Sequence, residues 1–284
     1  MKEIKKMEKI QLSCEFFPPK TAEGFKKLEI VADKLRVLNP HTLSVTFGAG
    51  GSTQENTFKT IKMLQALNIA PIAPHLTCIG STKETILNLI QTYKQEGFKH
   101  IVALRGDLPD GMIDPGIFKH ASELIEFIIK HTHDDFYLYC AAYPEFHPES
   151  PNPKTDLNAL INKFKHGAQA AITQYFFNPD AYLALRDELI HTKCDKPLIA
   201  GIMPITNYTQ LARFSNMCGA EIPRWLRMRL ERFGDDLEGL KEFGAETMAR
   251  LCETLIKEDV NHFHFYTLNQ AKPTLQIVSK LGLI

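Results

Sequence analysis

Residues 70–106, APIAPHLTCIGSTKETILNLIQTYKQEGFKHIVALRG, decide the fold. The runs at 70–78 and 100–106 are mostly apolar, as strands buried on both faces are. Between them, Ser81 and Glu84 have the spacing of a capping box with Ser81 as the cap, which predicts a helix over 82–96. A strand, a helix and a strand within this length predict a βαβ unit with parallel strands.

The same unit repeats along the chain, and we predict an α/β fold, a single (β/α)₈ TIM-type barrel over 1–284. Helices are predicted at 22–38, at 178–190 with Asn178 as cap, and at 236–257, with a short helix after Pro223. The alternative is an open doubly wound sheet, but no G-x-G-x-x-G follows the first strand. The eight candidate strands are 10–17, 42–48, 70–78, 100–106, 137–143, 170–176, 198–204 and 262–268.

Composition excludes several classes of protein. The 284 residues carry 33 Lys plus Arg and 33 Asp plus Glu, so no overall basic field attracts nucleic acid or an anionic membrane. There is no apolar run long enough to cross a membrane, and no apolar segment of a signal peptide follows the charged N-terminus. Six scattered cysteines with no C-x-x-C pair are typical of reduced thiols. We therefore expect a cytoplasmic protein.

The barrel prediction says where function should lie, because the active sites of such barrels form at the carboxyl ends of the strands. In this chain those ends are rich in polar side chains on otherwise apolar strands. We therefore expect a polar barrel mouth that binds a ligand. The residues are Glu15, Thr46, His75, Thr77, Arg105, Asp107, Tyr143, Glu145, His147, Gln174, Tyr266 and Asn269.

In order and together, these strand ends resemble the bacterial, catalytic-domain-only form of the methylenetetrahydrofolate reductase family. The resemblance runs from about residue 12 to the end of the chain. The matching segments are CEFFPPK (14–20), SVTFGAGGS (44–52), APHLTC (73–78), HIVALRGDLP (100–109), AAYPEFHPE (141–149), DLNALINKF (156–164), AITQYFF (171–177), GIMPITN (201–207) and HFYTLN (264–269).

The resemblance implies a flavin-containing barrel that reduces 5,10-methylenetetrahydrofolate to 5-methyltetrahydrofolate and so supplies methyl groups for methionine synthesis. Bound FAD would accept a hydride from NADH or NADPH, which then leaves before the folate enters. It also implies a homo-oligomer, since relatives form homotetramers, and no C-terminal regulatory domain. The choice between NADH and NADPH is left open by the sequence.

Two carboxylates match the family's catalytic positions. The resemblance makes Glu15 the general acid that opens the methylene bridge, and burial beside Phe16 and Phe17 is expected to raise its pKa so that it holds a proton. Asp107 would lie beside the flavin and the folate, where its charge adjusts the flavin potential. Each carboxylate also has a purely structural alternative. Glu15 could pair with another group within the barrel, and Asp107 could be a turn residue bonded to its own backbone.

The remaining site residues are carried over from the same motifs. Arg105 and Lys163 can meet the pyrophosphate charge, and Asp156 lies two helical turns before Lys163. For substrate, Gln174 offers both a donor and an acceptor to a pterin, Tyr208 stands where some relatives have phenylalanine, and Gln270 where relatives have arginine. The full FAD set is Thr46, Phe47, Ala49, His75, Arg105, Gly106, Asp107, Ala121, Tyr143, His147, Asp156, Asn162 and Lys163.

Two other motifs are weaker. The glycine-rich loop 48–52 follows a strand and precedes a helix, so it is either a phosphate cradle or a tight turn, and it lacks the G-K-[ST] of a P-loop. His262 and His264 lie on one face of a strand at a metal-ligand spacing, but no third ligand is evident, so no metal is predicted.

Three rival functions fit a polar barrel mouth. A glycosidase would use two of Glu15, Asp107 and Glu145 as its carboxylates. A Schiff-base aldolase needs a lysine at a strand end, and none stands there. A folate- or flavin-binding module without catalysis is the third.

Overall fold

A computed structural model of the chain describes residues 10–47, 51–108, 114 and 116–284, without the side chains of 51–53. Strands and helices alternate along it. The strands are β1 (Gln11–Phe16), β2 (Thr42–Val45), β3 (Ile72–Thr77), β4 (His100–Leu104), β5 (Tyr137–Ala142), β6 (Ala170–Thr173), β7 (Leu198–Ile202) and β8 (His262–Tyr266). The helices are α1 (Ala22–Leu35), α2 (Gly51–Ala66), α3 (Lys83–Gln95), α4 (Ala121–Thr132), α5 (Pro153–Lys165), α6 (Pro179–His191), α7 (Tyr208–Cys218), α8 (Arg224–Glu231), α9 (Leu237–Lys257) and α10 (Ala271–Lys280).

The eight strands form a closed parallel barrel in sequence order. β8 pairs with β1, so that Ser13 lies opposite His264 and Glu15 opposite Tyr266. The predicted (β/α)₈ barrel is confirmed, and the doubly wound alternative is wrong because an open sheet would leave β1 and β8 unpaired.

Two apolar cores lie on the two faces of the sheet, because successive strand side chains point to opposite faces. On β4, Ile101 and Ala103 pack outward against the helices, whereas Val102 packs into the barrel. The interior apolar cluster comes from strands β3 to β7, and the interior side chains of β1, β2 and β8 include buried polar ones. The interior cluster is Ala73, Val102, Tyr139, Ala170, Ile172 and Ile199.

The structure confirms the predicted cap of α6 and corrects the predicted cap of α3. Asn178 caps α6 by accepting from the N–H of Asp180, and Pro179 occupies the first turn. Ser81 is not the cap of α3, because the helix begins one residue later. The hydroxyl of Thr82 accepts from the N–H of Thr85 instead.

Two strands are shorter than the sequence predicts. β2 ends at Val45 rather than at residue 48, and β6 ends at Thr173 rather than at residue 176. Each of these strands ends opposite the last residue of the strand before it, which a single run of residues does not reveal. Helix α7 was also absent from the sequence prediction. Cys14, Cys78 and Cys140 are fully buried.

Among the described residues, none of the helices combines the length and the hydropathy that a membrane span requires.

Candidate active site

Glu15 occupies the carboxyl end of β1, with two histidines from other strands beside it. Its Oε2 lies 3.3 Å from Nε2 of His75 on β3 and 3.7 Å from Nε2 of His264 on β8. The glutamate side chain is 18% exposed, so it can be reached from the barrel mouth, and both imidazoles are buried. A carboxylate between two imidazoles forms a group that can hold and move a proton.

His264 is fixed by two serines inside the barrel. Its Nδ1 lies 2.8 Å from the hydroxyl of Ser13, and its Nε2 lies 3.4 Å from the hydroxyl of Ser44. All three side chains are buried. The ring is therefore held with Nε2 directed toward the region that Glu15 occupies.

The expected environment of Glu15 is wrong. Phe16 points to the opposite face of the strand and is buried against the helices, and Phe17 is 44% exposed, so neither encloses the carboxyl group. Burial favours the neutral acid, but the two imidazoles beside the carboxylate, His264 and His75, outweigh it and lower the pKa of Glu15 to about 2. In the free protein Glu15 is a carboxylate at neutral pH.

Tyr266 completes the floor of the mouth next to Glu15. Its hydroxyl donates to the carbonyl of Thr173 at 2.6 Å, and burial, with the charge of Glu15 adding to it, raises its pKa well above the ordinary value. The ring needs space on β7. At Gly201 a side chain would approach the Tyr266 ring to 2.8 Å and the Thr173 carbonyl to 2.1 Å.

His75 lies on β3 itself, two residues before the strand ends, rather than after it. Its Nε2 is buried and has no hydrogen-bond partner among the described residues, because the contact with Glu15 is not aligned for a hydrogen bond. An unpaired buried polar atom costs about 1–3 kcal/mol. A ligand in the mouth that met this nitrogen would remove that cost.

Arg105 lies just past β4 and is already paired. Its guanidinium binds the carboxylate of Glu149 with both terminal nitrogens, at 2.5 and 2.7 Å. Hydrogen bonding to Glu149, more than the charges nearby, raises the pKa of Arg105. Gly106 follows with φ of 88°, and a side chain there would meet Ile79 at 2.9 Å. The backbone at this point suits only glycine.

A half-buried polar wall lies between β5 and α5. The rings of Tyr143 and His147 meet edge to face with centroids 4.6 Å apart. Lys163 reaches back from α5 and donates to the carbonyl of Ala141 at 2.5 Å. Burial raises the pKa of Asp156 even though the charge of Lys163 opposes this, and burial lowers the pKa of His147. The wall therefore mixes donors, acceptors and one cation.

Three other predicted FAD-binding residues, Asp107, Ala121 and Asn162, lie nearer the solvent than this wall does. Asp107 is exposed after β4, close enough that its charge raises the pKa of Tyr143, though less than burial does, and it forms no hydrogen bond with the other described residues. The turn interpretation, in which it bonds to its own backbone, therefore finds no support there. Ala121 is the first residue of α4 and is half-buried. Asn162 is exposed on α5 and is not brought into the wall by a side-chain contact with the described residues.

Thr46 and Phe47 follow β2 and are half-buried at the mouth. The N–H of Thr46 donates to the carbonyl of Phe16, which ties the loop to β1. Ala49 lies outside the described residues, as does the glycine-rich loop up to residue 50.

The three predicted substrate residues lie on different elements. Gln174 follows β6, and its Oε1 accepts from the N–H of Tyr175. Its amide nitrogen has no hydrogen bond to the described residues, so it can donate to a ligand. Tyr208 begins α7, and its hydroxyl donates to Glu231 of α8 at 2.9 Å. Gln270 is exposed just before α10.

The sequence does not reveal the side chains that contact Glu15, Arg105 and Tyr208. The spacing to His262 suggests only a metal ligand at His264, although the alternation HFHFY places it on the same strand face as Tyr266. Ser13 precedes Glu15 by two residues and was open to the same argument. Glu149 and Glu231 carried no signal, because their partners are distant along the chain. No group of three or more His, Cys, Asp or Glu side chains in the described part of the chain is arranged to hold a metal ion.

A closed parallel barrel with a carboxylate and two imidazoles at the carboxyl ends of its strands has the architecture of (β/α)₈-barrel enzymes. Comparison with known proteins narrows this class. The model of the methylenetetrahydrofolate reductase family matches residues 1–282. The 5,10-methylenetetrahydrofolate reductase of Salmonella typhimurium is 38% identical over 274 residues, which are 96% of this chain and 91% of the relative.

Two further relatives are more distant. A probable methylenetetrahydrofolate reductase (NADH) of Oryza sativa is 33% identical over 303 residues, covering 99% of this chain and 51% of the plant protein. A solved Clostridium thermocellum protein that binds two copies of 5-methyl-5,6,7,8-tetrahydrofolic acid has a TM-score of 0.68 at 17% identity, covering 98% of this chain and 94% of that chain, which is a likeness of fold alone. The chain belongs to the methylenetetrahydrofolate reductase family and is an oxidoreductase of folate one-carbon metabolism.

Proposed function

We propose that the chain reduces 5,10-methylenetetrahydrofolate to 5-methyltetrahydrofolate in two half-reactions, with FAD as the bound hydride carrier and NADH or NADPH as the donor, and that the product supplies methyl groups for methionine synthesis. The observation that carries the proposal is Glu15, a reachable carboxylate between His75 and His264 at the mouth of a barrel of this family. NADH is the first donor to test, because the rice relative is named for it.

The residues at the mouth fit a flavin dinucleotide. Arg105 and Lys163 supply cations for a pyrophosphate, and Asp156 and His147 supply groups for ribose or adenine. Nε2 of His75 contacts Glu15 at 3.3 Å without an aligned hydrogen bond, so it could also meet a polar atom of the ligand. When bound, FAD would supply the hydride chemistry that no side chain can perform.

Glu15 and its histidines manage the proton that the reaction needs. Hydride can add only after a folate nitrogen is protonated and the methylene bridge opens to an iminium ion. A folate over the mouth excludes water from Glu15, which strengthens the burial effect that raises its pKa. His264, held by Ser13, keeps the carboxyl group in place and can share its proton.

Asp107, Gln174 and Tyr208 position the reactants. The carboxylate of Asp107 next to the flavin would disfavour an anionic reduced flavin and so lower its potential. The free amide nitrogen of Gln174 would donate to the pterin. The ring of Tyr208, anchored through its hydroxyl to Glu231, would offer a face to nicotinamide or pterin.

The proposal is tested by the visible spectrum of the purified protein. We expect flavin absorption bands that bleach when NADH is added without oxygen, with NADPH compared at equal concentration. A colourless protein that does not take up FAD would contradict the cofactor assignment and favour a glycosidase or a binding module.

A further inference from the structure

Helix α8 is tied to the rim of the barrel mouth at both ends. Just before the helix, the N–H of Glu221 donates to Glu145, on the loop after β5, at 2.6 Å. At the last residue of the helix, Glu231 accepts from the hydroxyl of Tyr208, the residue that begins α7 after β7, at 2.9 Å. A helix of this length spans about 12 Å. Helix α8 therefore lies along the rim between the loop after β5 and the start of α7.

The side of α8 that carries Glu231 also carries two arginines. Arg227 precedes Glu231 by four residues and Arg224 precedes it by seven, so the three side chains lie along one side of the helix. Because Glu231 is the residue that bonds to Tyr208, this side of α8 is the one turned toward the mouth. We call Arg224 and Arg227 the arginine strip.

The arginine strip has no carboxylate partner. Both of its side chains are exposed, and neither forms a hydrogen bond or an ion pair with the described residues. Burial and the hydrogen bond to Glu231 raise the pKa of Tyr208, and the charge of Arg227 opposes this rise, so Arg227 lies near the tyrosine. Arg105 differs, because Glu149 holds it from both terminal nitrogens. The strip therefore offers two guanidinium groups to an anion that lies next to Tyr208.

A third arginine of α8 has a structural role that the strip does not share. Arg229 lies on the other side of the helix, with its guanidinium 5.9 Å from the ring centre of Phe233 and 5.6 Å from that of Phe243. Such cation–π contacts stabilise the packing of α8 on α9. Arg224 and Arg227 form no contact of this kind with the described residues, so packing does not account for their charge.

We propose that the arginine strip binds the pyrophosphate of the reduced nicotinamide dinucleotide and so holds the hydride donor over the mouth. The proposal rests on the proposed function, in which the ring of Tyr208 offers a face to nicotinamide. One ribose separates nicotinamide from the pyrophosphate, so a nicotinamide stacked on Tyr208 brings the phosphates within reach of α8. Planar guanidinium groups bind phosphate oxygens through paired hydrogen bonds. The pyrophosphate of FAD has other cations, Arg105 and Lys163.

The test measures flavin reduction by rapid mixing without oxygen, at increasing concentrations of the donor. In the Arg224→Gln/Arg227→Gln variant we expect the Kd for NADH to rise by about 10-fold or more, because charge-assisted hydrogen bonds to phosphate are lost. The Kd for NADPH should rise by the same factor, and the wild-type affinity for both donors should fall as salt increases. The limiting rate of flavin reduction and the Kd for 5,10-methylenetetrahydrofolate, measured in the second half-reaction, should be unchanged.

Two controls separate phosphate binding from a general effect of charge. N-methyl-1,4-dihydronicotinamide, a hydride donor without phosphates, should reduce the flavin of the variant and of the wild-type protein equally well. The matched variant is Arg232→Gln/Arg250→Gln, which removes two exposed arginines outside the strip and should keep the wild-type Kd for NADH. Arg232 follows Trp225 by seven residues and so lies on another side of α8 than the strip does.

The inference is overturned if the strip variant binds NADH as tightly as the wild-type protein, or if the matched variant loses as much affinity. It is also overturned if the defect lies in folate or FAD binding, or in NADPH binding alone, because the arginines would then serve that ligand or the 2′-phosphate. A wild-type protein whose flavin neither NADH nor NADPH reduces would instead contradict the proposed function.

Discussion

Glu15→Gln is expected to slow folate reduction by about 10²- to 10⁴-fold, the usual worth of a general acid, while FAD binding and flavin reduction by NADH stay near wild type. Glutamine has nearly the shape of glutamate and can still accept from His75 or His264, but it holds no transferable proton. The two half-reactions, followed separately by flavin absorbance in rapid mixing, distinguish loss of the acid from loss of the site.

Glu145→Gln is the matched control for this variant. Glu145 is a half-buried carboxylate near the rim, and its Oε2 accepts from the N–H of Glu221 at 2.6 Å, a role that an amide oxygen can keep. We expect near-normal turnover. Normal folate reduction by Glu15→Gln would remove Glu15 from the mechanism, and equal losses in both variants would favour a reaction that needs two carboxylates.

Arg105→Ala is expected to weaken FAD binding by about 10- to 100-fold, because a hydrogen bond between charged groups contributes about 1.5–3 kcal/mol. In the free protein Glu149 holds the guanidinium from both terminal nitrogens. A pyrophosphate must take that position from the carboxylate. Glu149→Gln should therefore have the opposite effect and tighten FAD binding by about 2- to 5-fold, the worth of an exposed ion pair.

Titration of the apoprotein with FAD, followed by flavin fluorescence, measures both effects. Arg186→Ala is the control, since Arg186 is a half-buried arginine bonded to the carbonyl of Glu258 and not part of the mouth. Unchanged affinity in Arg105→Ala, or weaker binding in Glu149→Gln, would mean that the pyrophosphate lies elsewhere.

The barrel could be predicted from sequence because its signal is local and repeated. Each apolar run buries both faces of a strand, and each following stretch shows helical spacing, so the order of elements follows without long-range information. The strand boundaries could not be predicted, because β2 ends at Val45 opposite Phe16, the last residue of β1, and β6 ends at Thr173 opposite Ala142, the last residue of β5. The cap of α3 could not be predicted either. Ser81 and Thr82 are both suitable caps, and only the folded structure shows that Thr82 is the one used.

The active site was also only partly predictable from the sequence. Glu15 could be placed at a strand end from its motif, but its surroundings could not be inferred from its neighbours in sequence. Phe16 points away from it, and the groups that set its pKa come from β3 and β8. Likewise the sequence predicts Arg105 as a cation for a pyrophosphate, but it does not reveal that the fold gives this residue Glu149 as a partner.

The central claim is that this barrel passes a hydride from reduced nicotinamide to a folate. The most direct measurement mixes the NADH-reduced protein with 5,10-methylenetetrahydrofolate in the absence of oxygen and NADH. The account predicts that the flavin absorbance returns and that 5-methyltetrahydrofolate appears in step with it. A flavin that stays reduced, with the folate recovered unchanged, would contradict it.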